Sequence, residues 1–204
     1  MTDERTDKLL RPARVAAIDP GSVKAGMVVL QIQPAPPGYV VPDRDAVAIL
    51  ARCTARPPRG QDFAIRMSFL LDAIERWAED VRRNWQPDRW CVEDPRSIRI
   101  GHALRGTGNV VTLGAAFGVA CAAFSVAANR CGVDVTLVSA AEWLPKTRRG
   151  KNRNLKVNMK HNEARQWLRE RWPALRDLTD DEVFASGVAI WAHTGGAMAA
   201  IYPT

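Results

Sequence analysis

Cysteine, histidine and long apolar runs are scarce in this 204-residue chain, and each scarcity closes off a class of function. Cys53, Cys91, Cys121 and Cys131 include no close pair of the zinc-site kind, so they are read as reduced thiols that pack as small hydrophobes. His102, His161 and His193 are the only histidines, and none forms a pair suited to zinc. His193 lies about three turns from the acids that open the last helix, too far to share a metal with them at roughly 1.5 Å rise per residue. No apolar run reaches the roughly 18 residues needed to cross a bilayer. The charged start Met1-Thr2-Asp3-Glu4-Arg5 leads into no apolar signal core, so a cytoplasmic protein with no membrane partner is expected. There is no Walker-type glycine-lysine loop and no second copy of any motif, which argues against P-loop and duplicated actin-like ATPases.

Positive charge, by contrast, is abundant and uneven. The formal net charge is +7. Between Lys146 and Arg171 ten Lys or Arg residues face only Glu163 and Glu170, and the excess runs through a Gly/Asn-rich stretch where no helical pairing accounts for it. Such a segment is the electrostatic footprint of a polyanion, most simply nucleic acid. A hydrophobic share of 47% is enough for one substantial core. The expected organisation is a polar tail over residues 1–12 and a single domain over 13–204.

Periodicity predicts strands at 14–19, 27–33, 46–53, 89–93 and 133–138, with helices over 61–84, 110–130, 157–172 and 181–193. The order β-β-β-α-β-α-β-α-α matches a ribonuclease H-like α/β architecture. That fold is a mixed five-stranded sheet, its first three strands antiparallel, with helices on both faces. The first and fourth strands then lie side by side. Trp77, Trp143, Trp167 and Trp191 fall on apolar helix faces or helix starts and are read as core.

Two of these strands end on a carboxylate: Val15-Ala16-Ala17-Ile18-Asp19 and Trp90-Cys91-Val92-Glu93. A third acidic cluster, Asp180-Asp181-Glu182, opens the last helix. Carboxylates crowded into a low-dielectric site need protons or cations to neutralise them, and oxygen ligands at this density suit magnesium or manganese. On a basic protein that points to phosphodiester chemistry.

The stretch Val15-Ala16-Ala17-Ile18-Asp19-Pro20-Gly21-Ser22, with Gly26 following, resembles the opening strand of RuvC-type Holliday junction resolvases. Val92-Glu93 resembles their fourth-strand glutamate motif. Leu113-Gly114-Ala115-Ala116-Phe117-Gly118-Val119-Ala120 resembles the helix that follows it, and Asp180-Asp181-Glu182 before Val188-Ala189-Ile190-Trp191-Ala192-His193 resembles their closing acidic helix. The resemblance implies a homodimeric endonuclease, cytoplasmic in a bacterial or phage-infected cell, that cuts four-way or other branched double-stranded DNA. It implies two magnesium ions, with manganese able to substitute, and Asp19, Glu93 and Asp181 as catalytic metal ligands. It also implies a fourth acid one turn beyond Asp181, where this chain has Phe184. Either Asp180 or Glu182 substitutes, or the chain is a weakened or inactive relative that still binds branched DNA. By position, Ile98 and Ile100 are candidate wedges at the junction, with Arg99 and Arg105 on phosphates. Lys146, Arg148, Arg149, Lys151, Arg153, Lys156 and Lys160 are expected to track the DNA backbone.

Overall fold

The computed structural model describes residues 12–35, 41–94, 107–144, 146–148, 156–158 and 161–195. Three strands open the chain: β1 (Ala13–Pro20), β2 (Ala25–Ile32) and β3 (Val47–Ala55). Helix α1 (Phe63–Trp85), strand β4 (Arg89–Asp94), helix α2 (Thr107–Arg130) and strand β5 (Val135–Ser139) follow. The remainder comprises a one-turn helix α3 (Ala140–Trp143), two short strands β6 (Lys146–Arg148) and β7 (Lys156–Asn158), helix α4 (His161–Arg171), a 3-10 turn at Pro173–Leu175 and helix α5 (Asp180–Thr194).

Strands β1 to β5 form one sheet in the order β3-β2-β1-β4-β5. The β1–β2 and β2–β3 pairs are antiparallel, whereas β1–β4 and β4–β5 are parallel. This is the mixed α/β sheet that the sequence predicts. Its central strands read as near-continuous apolar runs because both of their faces are covered. Val15, Ala17, Val28, Leu30 and Cys91 meet α5, α4 and α3 on one face. Ala16, Ile18, Met27, Val29, Trp90 and Val92 meet α1 and α2 on the other.

Helix α1 starts where Asp62 accepts from the Ile65 amide at 2.9 Å and ends at Gln86, whose φ of 46° is left-handed. Glu79 on α1 accepts from Arg82 and Arg83 at 2.8 Å, and from Arg130 at the end of α2 at 3.1 Å. One carboxylate therefore ties the two helices of that face together. These contacts, the Arg82 hydrogen bond foremost, lower its pKa to about 2.

Two expectations need correction. The helix expected from residue 157 begins at His161, and Lys156–Asn158 pairs instead with Lys146–Arg148 as a small antiparallel sheet. Three-residue strands have too few side chains to show a period. The segment Val111–Arg130 of α2, counted with its glycines, serine and threonine, forms one largely apolar stretch of 20 residues. By length and composition it is therefore long and apolar enough to cross a membrane. Here Ala116, Ala120, Ala123, Phe124, Ala127 and Ala128 pack it into the core against α1 and the sheet.

Candidate metal centre

Parallel pairing of Ile18 with Val92 brings the ends of β1 and β4 together, so that Asp19 and Glu93 emerge side by side on the face covered by α5. The two side chains share a hydrogen bond and both remain partly accessible. Burial, then the charge and hydrogen bond of Glu93 and the charge of Asp181, push Asp19 well above the usual carboxylate range, with Lys24 pulling the other way. Burial also raises Glu93, opposed by the hydrogen bond to Asp19, by the Trp143 indole and by His161. Burial and proximity thus disfavour two full negative charges on this pair.

The third acid arrives from the opposite end of the chain. Asp181 lies in the first turn of α5, which is capped by a reciprocal box. Thr179 accepts from the Glu182 amide, and Glu182 accepts from the Thr179 amide at 2.8 Å. The close approach of α5 to β2 depends on Gly26, the residue paired with Asp19. A Cβ there would lie 2.3 Å from the Asp181 backbone carbon. Gly26 is thus the notch into which the acidic turn fits.

The other acids of that turn are engaged elsewhere. Asp180 pairs with Arg165 and Arg169 of α4. Glu182 is buried, and besides its capping bond it accepts from the Thr54 hydroxyl at 3.0 Å. Neither is brought beside Asp19 and Glu93. Phe184 packs against Trp143 and His161 at ring separations of 5.6 and 5.3 Å, with Arg165 over its ring. The position expected to carry a fourth acid is therefore an aromatic contact.

Two residues of this site carry no distinguishing mark in the sequence. Trp143, only 1% exposed, donates its indole N–H to Glu93 Oε1 at 3.0 Å. It is core, as expected, but it also orients the acid. Gly187 of α5 makes room for it, since a Cβ there would come within 2.5 Å of the indole ring. Lys24, in the β1–β2 turn, places its ammonium 2.5 Å from Asp181 Oδ2. The signal for Lys24 was present in a basic side chain inside the Asp-Pro-Gly block, though nothing local says where it points.

Among the described residues no group of three acids converges on one point as metal ligands. Asp19 and Glu93 nevertheless fit a divalent cation. They are hard oxygen donors, adjacent and partly accessible, and their shared burial favours a neutralising cation. Ligands for a second ion are not assembled, because Asp181 is drawn to Lys24 and Phe184 offers no donor.

Of the expected DNA contacts, Ile98, Arg99, Ile100, Arg105, Arg149, Lys151, Arg153 and Lys160 lie outside the described residues. Lys146, Arg148 and Lys156 belong to the β6–β7 pair, in which Arg148 stands opposite Lys156.

No family model matches this sequence, and no curated protein does. Solved structures do match the fold. RuvC from Thermus thermophilus aligns with a TM-score of 0.59 at 16% identity over 89% of this chain and 96% of its own. T. thermophilus RuvC in complex with a Holliday junction substrate aligns at 0.57, 19% identity, 90% and 97%. The yeast mitochondrial Holliday junction resolvase Ydc2 aligns at 0.52, 14% identity, 98% and 88%. The chain has a RuvC-type, ribonuclease H-like fold.

Proposed function

We propose that this chain is a metal-dependent endonuclease that cuts four-way or other branched DNA by phosphodiester hydrolysis. The observation that carries this reading is the Asp19–Glu93 pair: two adjacent carboxylates at the ends of parallel strands, forced by burial and mutual repulsion to hold a proton or a cation. The fold shared with T. thermophilus RuvC, whose solved complex contains a Holliday junction, supports the substrate class. The basic segment from Lys146 to Arg171 supports DNA as the polyanion.

A bound magnesium or manganese ion supplies activation of water and stabilisation of the departing oxygen. The chain's residues arrange everything around it. Asp19 and Glu93 would hold the ion, Trp143 fixes the rotamer of Glu93, and Gly26 admits the turn that carries Asp181. The lysines and arginines from Lys146 to Lys160 would bind phosphates without reading sequence. Two strands cut symmetrically require two active sites, so the active form in this reading is a homodimer whose two-fold axis matches that of the junction.

Phe184 favours a second reading, a protein that binds branched DNA but no longer cuts it. The Asp19→Asn variant separates the two. Under the nuclease reading the wild type cuts a synthetic junction and Asp19→Asn binds it equally well without cutting. Binding with no cutting by the wild type selects the second reading.

A further inference from the structure

We propose that Lys24 takes the charge-neutralising part of a second divalent cation, leaving a centre with one ion on Asp19 and Glu93. This assignment rests on the metal-dependent reading of the same site.

Charge and position argue for it together. Lys24 lies 2.5 Å from Asp181 and also acts on Asp19, so the charges of Asp19, Glu93, Asp181 and Lys24 sum to two negatives when all are ionised, which one divalent ion balances. A second ion would leave an uncompensated positive charge in a partly buried site. Phe184, packed against Trp143 and His161, offers no oxygen donor at the position where the resemblance implies a fourth acid.

The lysine is placed there by the backbone. Gly21 is required for the tight turn after β1, because a Cβ there would meet the Lys24 carbonyl oxygen at 2.3 Å. Arg66 donates to the Ser22 carbonyl at 2.8 Å and tethers the same turn to α1. Lys24 is thereby held over the acids with its side chain 37% exposed, while Asp181 is 15% exposed. The ammonium faces both the acid cluster and the solvent from which a phosphate arrives.

The test counts ions. Manganese is titrated into the wild-type chain without DNA, and bound ion is measured by calorimetry and by the loss of the free-ion electron paramagnetic resonance signal. One ion per chain is expected, reduced to weak or no binding in Asp19→Asn. Lys24→Arg keeps one ion. Lys24→Gln combined with Phe184→Asp binds two, with circular dichroism confirming that the double variant is folded. Two ions or none in the wild type, or a single ion in the folded double variant, overturns the assignment. Because no DNA is present, a wild type that binds one ion yet cuts no junction removes the nuclease reading while leaving this assignment intact.

Discussion

From outside the acid pair, Glu93 accepts a 3.0 Å hydrogen bond from the Trp143 indole. A group that holds a metal ligand in place typically contributes 10- to 100-fold in metal affinity or rate. Trp143→Phe, which keeps most of the buried ring and removes the donor, is expected to slow single-turnover junction cutting by about 10-fold or more. A rate unchanged within twofold in a folded variant would show that Glu93 needs no such partner. At this scale the sequence was half legible. Asp19 and Glu93 stood out because each ends a short apolar strand. Trp143, Lys24 and the caps made by Glu182 did not, because an indole, an ammonium or a carboxylate acquires its role only from what the fold sets opposite it.

Among the elements, β1, β4 and α5 carry the site, and their junction is the contact of Gly26 with the Asp181 backbone. Gly26→Ala puts a methyl group into backbone that cannot rotate away, so α5 must shift. Overpacking of this kind destabilises by about 1–3 kcal/mol. The expected outcome is a lower thermal midpoint together with weaker manganese binding, whereas unchanged values for both would mean that α5 has room to spare. The strands and long helices were readable from their hydrophobic periods, with ends displaced by a few residues. The β6–β7 pair was not, since Lys146–Arg148 and Lys156–Asn158 are too short and too polar to carry a period, and the basic composition read equally well as loop or helix.

Across the whole molecule the two faces of the sheet have separate duties. The α1/α2 face is fastened by Glu79, whose pKa is held at about 2, chiefly by the Arg82 hydrogen bond. A carboxylate depressed in the folded state adds stability that is fully present above its ordinary value and is lost as pH falls through the depressed one. Glu79→Gln should therefore lower the thermal midpoint at neutral pH and flatten its decline between about pH 4.5 and 2. Parallel curves for variant and wild type would show the arginine cluster to be without effect. The opposite face carries α4, which belongs to the basic segment that the proposed function gives to DNA. Replacing Lys151, Arg153 and Lys156 with alanine should weaken junction binding at low salt and reduce the slope of log affinity against log salt by about one unit per lost phosphate contact. An unchanged slope would take the segment out of the DNA path. The overall architecture was legible because element order and strand-end acids together constrain the sheet, while the contacts of Lys24 and Phe184 were not, because they join segments far apart in the chain.

The most direct test of the central claim is incubation of the full chain with a labelled four-way junction and with the matching linear duplex, in magnesium, in manganese and in chelator. The account predicts paired, symmetric nicks in the junction alone, absent in chelator and in Asp19→Asn. Tight junction binding with no cutting in either metal, or cutting that survives chelator or Asp19→Asn, would contradict it.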